Sequence, residues 1–187
     1  MSHYQTIYGW FDWHDTYDRW VRHAPPGARL VEVGAFKGRS TAYLLSRVVD
    51  WGRGDVGVYV VDNWVGEPTV CGGDIKAEFL KNLKAFAPYF QVIDRPSVEA
   101  AREFQDGSVH AVWIDGDHTY AAVYNDLDAW WPKVAAGGEI GGHDYGFTSV
   151  SDAVKTWCRR NRVIHEVVPS SVPHESQMAS WLIRKAR

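Results

Sequence analysis

A chain of 187 residues with 45% hydrophobic content can bury one substantial core and needs no second domain. Its formal net charge is −3 and its Lys and Arg are scattered, which argues against nucleic acid or an anionic membrane as a partner and favours a small polar or neutral one. Cys71 and Cys158 have neither metal spacing nor a disulfide framework, and the start Met-Ser-His-Tyr-Gln has no basic-then-apolar leader pattern, so a cytoplasmic protein is expected.

Residues 3–23 place Tyr4, Ile7, Tyr8, Trp10, Phe11, Trp13, Tyr17, Trp20 and Val21 among Asp and His. Trp13, Tyr17, Trp20 and Val21 fit one helical stripe and predict a helix packed over a sheet face; a lid or a homodimer contact is the other use of such a segment. Several of the ten tryptophans lie in polar or glycine-rich stretches, where they are expected to face a ligand or a partner subunit. Ala24-Pro25-Pro26-Gly27 ends this N-terminal segment, and from residue 28 onward apolar runs alternate with helical patterns. That alternation predicts an α/β core of parallel strands with crossover helices, residues 28–187, behind the aromatic segment 1–27.

The first strand, ending Val31-Glu32-Val33, runs into Gly34-Ala35-Phe36-Lys37-Gly38-Arg39-Ser40, and a helix follows over about 42–49. Such a turn holds a ligand at a helix N-terminus. A Walker loop needs four residues between its glycines and then Lys, whereas here there are three and then Arg39. The dinucleotide fingerprint needs a glycine where Phe36 stands, so that backbone can approach a pyrophosphate. Glu32 repels a pyrophosphate and attracts a cation, such as the sulfonium of S-adenosylmethionine. The string Val31 to Ser40 resembles the first motif of the class I S-adenosylmethionine-dependent methyltransferases, in the version of the catechol-type and bacterial sugar and macrolide O-methyltransferases. The resemblance implies a Rossmann-like, doubly wound, mostly parallel seven-stranded sheet with a C-terminal antiparallel hairpin, and cofactor contacts from Glu32, Gly34, Phe36, Gly38 and Ser40.

The second strand, Val56 to Val61, ends in Asp62, whose carboxylate can accept from two ribose hydroxyls, with Asn63 beside it. Trp64 to Asp74 contains Gly66, Pro68, Gly72 and Gly73 and reads as a loop able to close over the site. A helix over Ile75 to Phe86 and a third strand, Phe90 to Ile93, lead to Ser97, which falls near the adenine in related enzymes and is equally placed to cap the next helix.

Val109 to Ile114 is a buried strand that exits at Asp115-Gly116-Asp117-His118-Thr119-Tyr120; a helix follows over Ala121 to Trp131. Glu139 to Gly142 makes a fifth strand that exits at His143-Asp144-Tyr145, a helix capped by Ser149 or Ser151 runs to about Asn161, and Val163 to Val168 and Met178 to Arg184 are the last strands. In the methyltransferase order the fourth and fifth strands are neighbours, about 4.8 Å apart, so Asp115 and Asp144 converge and repel unless a cation lies between them. Oxygen ligands with open positions suit Mg²⁺ or Mn²⁺.

The resemblance to the metal-dependent O-methyltransferases extends over roughly residues 28–160 and implies that Asp115, His143 and Asp144 hold a divalent metal, with Asp115 also near the cofactor. It places the general base at Asp117 or His118, and histidine has the unperturbed pKa nearer neutrality. His143 stands where the relatives carry Asp, which tilts the site toward Mn²⁺, Fe²⁺ or Zn²⁺, or toward no metal with His118 or His143 as the base. The expected reaction is methyl transfer to a hydroxyl of a small acceptor, a catechol, polyphenol or sugar-bearing molecule, with Trp64, Tyr145 and Phe147 available to stack on it. A short-chain oxidoreductase needs Tyr-x-x-x-Lys, which is absent. A non-catalytic module of the same fold has no use for four carboxylates at Glu32, Asp62, Asp115 and Asp144.

Overall fold

The computed structural model describes residues 2–65, 74–172 and 178–187. Seven strands form one sheet: β1 (Arg29–Val33), β2 (Gly57–Asp62), β3 (Phe90–Asp94), β4 (Val109–Ile114), β5 (Val134–Gly142), β6 (His165–Val168) and β7 (Ser180–Arg184), in the order β3-β2-β1-β4-β5-β7-β6. β1 to β5 pair in parallel, and β7 runs antiparallel to both β5 and β6. The parallel part is what the alternating pattern predicted, and the terminal antiparallel hairpin is what the methyltransferase resemblance implied. The order reverses between β1 and β4, where an open sheet leaves a crevice beyond its carboxyl ends.

The helices are α1 (His14–His23), α2 (Arg39–Asp50), α3 (Ile75–Asn82), α4 (Ser97–Ala100), α5 (Tyr120–Trp130) and α6 (Thr148–Asn161). Successive strand residues point to opposite faces, and both faces are covered. Leu30, Ala111, Trp113 and Leu182 pack with α1 and α2, while Val31, Val112, Ile114 and Ile183 pack with α5 and α6. Among the described residues no helix is long and apolar enough to cross a membrane.

The aromatic N-terminal segment is a layer of the core. Trp13 stacks on Trp113 of β4 at 5.0 Å, and Tyr17 and Trp20 meet the same ring edge-on at 5.7 and 5.8 Å. Glu139 of β5 ties the layer down, accepting from Trp20 Nε1 at 2.6 Å and Arg19 Nη1 at 2.7 Å, with Arg184 Nε at 2.9 Å. Six of the tryptophans, at 13, 20, 113, 130, 157 and 181, are buried, so most serve packing rather than a ligand. Tyr8 and Trp10 remain exposed.

Some boundaries differ from the sequence expectation. The helix begun at Ile75 stops at Asn82, and Lys84–Tyr89 continues as a 3₁₀ turn containing Pro88, because proline removes a donor and disfavours α geometry just before it. Neither Ser149 nor Ser151 caps α6; Phe147 occupies that position after a turn closed by Phe147 N–H to Asp144 O at 2.9 Å, and the Ser149 hydroxyl donates to His118 O at 2.7 Å. Gly66, Pro68, Cys71, Gly72 and Gly73 of the proposed closing loop lie outside the described residues.

Candidate active site

The β1–α2 turn is locked by close backbone approach. Gly34 N–H donates to Val61 O at 2.9 Å, and Asp115 N–H donates to Val33 O at 2.8 Å. Gly34 has φ +83°, and a Cβ there would lie 2.1 Å from the Asp115 carbonyl oxygen, so only glycine fits. Asp62 holds the loop from the other side: its Oδ2 accepts from Ala35 and Phe36 N–H at 2.8 and 3.2 Å, and its Oδ1 from Trp64 N–H at 2.8 Å. Phe36 takes φ +48°, unfavourable for a residue with a side chain and kept here by those bonds. Asp62 thus stands at the expected strand end, but its carboxylate already orders the loop, a role sequence spacing did not reveal.

Glu32 is fully buried beneath this turn, with its carboxylate accepting from Tyr17 Oη at 2.8 Å and from Thr41 Oγ1. It does not line the cavity, so any pull on a cation acts through the loop rather than by contact. Burial pushes its pKa up to about 7, against the hydrogen bonds from Ser40, Thr41 and Tyr17. A carboxyl raised above its unfolded value of 4.5 stabilises the fold fully below pH 4.5 and loses that contribution as pH rises toward 7. The stability advantage of Glu32→Gln over wild type should therefore grow by roughly 2–3 kcal/mol between pH 5 and pH 8. Unfolding calorimetry at the two pH values checks this, and an advantage that does not change would mean that Glu32 stays ionised in the folded protein.

A cavity of about 540 Å³ opens beyond the strand ends. Its walls are the turn at Gly34, Ala35 and Phe36 with Arg39 and Ser40; the polar group Asp115, His118, His143 and Asp144; and the outer residues Gly9, Trp10, Phe147 and Met178. The convergence expected of Asp115 and Asp144 is present, because β4 and β5 pair in parallel up to Ile114 and Gly142, one residue short of each exit. Asp115, His118 and Asp144 offer ligand atoms all within 4.8 Å of one another.

His143 meets carboxylates on both sides, its Nε2 2.9 Å from Asp12 Oδ1 and its Nδ1 3.3 Å from Asp144 Oδ1, and His118 is the imidazole grouped with Asp115 and Asp144. His118 Nε2 sits 2.9 Å from Asp144 Oδ2 and 3.8 Å from Asp115 Oδ1. The carboxylates of Asp115 and Asp144 beside it push its pKa up to about 10 despite burial. His143 also rises to about 10, burial being outweighed by Asp12 and Asp144. Neither imidazole is a ready base at neutral pH in this state, because the neighbouring carboxylates hold the proton. Burial raises Asp115, whereas in Asp144 the bonds from His118 and His143 overcome burial and hold the carboxyl well below its ordinary range.

Asp117 turns away from this group, its Oδ1 accepting from Thr119 N–H at 2.8 Å. Pro96 rather than Ser97 caps α4, and the Ser97 hydroxyl accepts from Trp130 Nε1 at 2.9 Å and bonds Asp126. Asn63 is exposed and accepts from Val65 N–H at 3.2 Å. Of the candidate stacking residues, Phe147 lines the cavity, whereas Trp64 packs on Phe79 at 4.8 Å and Tyr145 bonds His165 at 2.6 Å. Asp12, Gly9, Trp10, Arg39 and Met178 were not expected at the site. One signal pointed to Asp12, a lone acid inside the aromatic run Trp10-Phe11-Asp12-Trp13.

Two carboxylates and one imidazole grouped at a cavity wall fit a divalent ion with open positions, and the nitrogen donor suits Mn²⁺ or Fe²⁺ better than the all-oxygen preference of Mg²⁺. Asp144 Oδ2 and Asp115 are the two groups that a metal would take over from His118.

The sheet order, the glycine turn at the end of β1 and the acids at the ends of β2 and β4 define a class I S-adenosylmethionine-dependent methyltransferase. The chain belongs to the family described as "Methyltransferase domain", whose model matches residues 31–145. An uncharacterized Sinorhizobium fredii protein, y4gI, is 26% identical over 143 residues, 70% of this chain and 15% of that protein, so the chain spans only a small part of this curated relative. Among solved structures, the O-methyltransferase NovP superposes with TM-score 0.71 at 16% identity, covering 93% of this chain and 79% of that one. An rRNA methylase from Streptococcus thermophilus gives 0.66 at 14%, covering 93% and 96%. The fold is common to both and does not choose an acceptor.

Proposed function

We propose that the enzyme transfers the methyl group of S-adenosylmethionine to a hydroxyl of a small aromatic or sugar-bearing molecule, with a divalent cation held by Asp115, His118 and Asp144. The observation that carries this reading is the grouping of those three ligand atoms within 4.8 Å in the wall of the cavity that the Gly34–Phe36 turn also lines. Trp10, Phe36 and Phe147 give the same cavity apolar rings for a flat or sugar-faced acceptor, and a net charge of −3 gives no footprint for RNA. Asp62, with three of its lone pairs on loop amides, keeps capacity for a ribose hydroxyl.

Displacement at the sulfonium methyl turns a cation and an oxygen nucleophile into neutral products, so stabilising late charge gains little. The protein's leverage is in placing the oxygen and removing its proton. A divalent cation, when bound, supplies Lewis acidity that makes an acceptor hydroxyl easier to ionise. Asp115, Asp144 and His118 as neutral imidazole would hold such a cation, the two carboxylates then being shared with it rather than with the extra proton of His118. The Gly34–Phe36 turn and Ser40 hold the methionine end, and Trp10 and Phe147 exclude water from the acceptor side.

A second reading is favoured by one contact. His118 already lies against both carboxylates as an imidazolium, which offsets one of their two charges without a metal. In that case His118 donates to the acceptor oxygen and Asp115, made more basic by burial, takes the proton.

The test combines calorimetry with assays on a panel of catechols and sugars. Wild type should bind S-adenosylmethionine and its demethylated product, and Asp62→Ala should bind at least about 10-fold more weakly, by about 1.4 kcal/mol or more. Equal affinity, or a preference for NAD, would sink the cofactor assignment. Activity lost on exhaustive chelation and restored by Mn²⁺ supports the metal reading, and activity that survives chelation unchanged transfers the case to His118 and Asp115.

A further inference from the structure

We propose that Asp12 is a positioning residue of the active site, which through His143 aims the Asp144 carboxylate into the cavity. Asp12 belongs to the N-terminal segment, outside the 31–145 family match, and its side chain is fully buried between Phe11 and Trp13. A buried carboxylate is costly unless paired, and the ion pair to His143 at 2.9 Å supplies a partner. Trp13 packs on the His143 ring at 4.6 Å and is backed by Trp113 at 5.0 Å, which fixes the ring plane. The other ring nitrogen then meets Asp144 Oδ1 at 3.3 Å and leaves Oδ2 for His118 at 2.9 Å and for the cavity.

Asp144 has a φ of +56°, in the left-handed region that Asp and Asn enter more readily than other residues with side chains, so the direction of its carboxylate is left to the partners it meets. The run Asp12–His143–Asp144–His118–Asp115 alternates acid and imidazole from the first packed layer of the chain to the end of β4. A carboxylate behind a histidine behind a ligand is how supporting groups orient a metal site, and losing one typically costs about 10–100-fold in affinity. The backbone of Asp12 is anchored separately, its carbonyl accepting from Ser171 N–H at 2.7 Å, so the side chain can be changed with that anchor in place.

The metal measurement rests on the proposed function above, and the spectroscopic one does not. Asp12→Ala and the near-isosteric Asp12→Asn are compared with Glu139→Gln, which weakens the N-terminal layer at Arg19 and Trp20 but leaves the Asp12–His143 pair intact. The expected result is Mn²⁺ affinity lowered about 10–100-fold in both Asp12 variants. Affinity for the demethylated cofactor should stay within about two-fold, and the His118 ring-nitrogen resonance of the metal-free protein should move. Glu139→Gln should lower the melting temperature and move none of these. Mn²⁺ binding and a His118 resonance that match wild type in Asp12→Ala would overturn the proposal, as would equal effects in Glu139→Gln. Should wild type bind no Mn²⁺, the metal reading falls and the resonance alone decides: a shift sustains the role of Asp12 and its absence ends it.

Discussion

Gly34→Ala should abolish cofactor binding, measured by calorimetry with the demethylated cofactor, and should lower stability by more than about 3 kcal/mol. Two causes add. The left-handed φ of +83° costs about 1–2 kcal/mol for any L side chain, and the new Cβ would sit 2.1 Å from the Asp115 carbonyl oxygen. That oxygen cannot yield cheaply, because Asp115 N–H is bonded to Val33 O and the next strand is tied on by His143 N–H to Ile114 O at 3.2 Å. The turn and the polar group must move apart, which separates the cofactor end of the cavity from its acid end. A Gly34→Ala protein that binds with wild-type affinity would show that the turn can shift without cost and is not the cofactor cradle.

Asp144→Asn is expected to reduce methyl transfer by at least about 100-fold, near 2.7 kcal/mol, and to lower Mn²⁺ affinity by a similar factor. Asparagine keeps the shape and tolerates the left-handed backbone at this position, so the variant should fold. What it loses is the charge opposite His118 and beside Asp115. Cofactor affinity should change by no more than a few-fold, because Asp144 lies at the acceptor side of the proposed chemistry. If Asp144→Asn retained activity and Mn²⁺ binding, the carboxylate would have only a structural role and the reading of this site would fail with it.

How far the sequence reached follows from the range of each interaction. Strand and helix identity and the parallel core were legible because burial on both sheet faces leaves runs such as Val109–Ile114, and because helices such as Tyr120–Trp130 carry their own periodicity; the antiparallel close came from the family resemblance. Gly34, Asp62, Asp115 and Asp144 were legible as well, since a carboxylate or glycine at a strand end keeps its place in any sheet of this order. The end of α3 at Asn82 and the uncapped start of α6 were less so, because each depends on the geometry of the turn beside it.

By itself the sequence determined the fold class, the turn after β1 and the acids at the strand ends, all of which rest on local pattern and on connections that parallel sheets repeat. Only the tertiary structure decided what each of those groups touches. It buried Glu32 under Tyr17 and Thr41, gave Asp62 to the loop amides, turned the Asp117 carboxylate onto Thr119 N–H and grouped His118 with Asp115 and Asp144. Asp12 stands 131 positions before His143 and reaches it where Trp13, Tyr17 and Trp20 pack against Trp113. Side-chain direction at a site is fixed by the partners that packing brings within about 3 Å, and no periodicity along the chain encodes which partners those are.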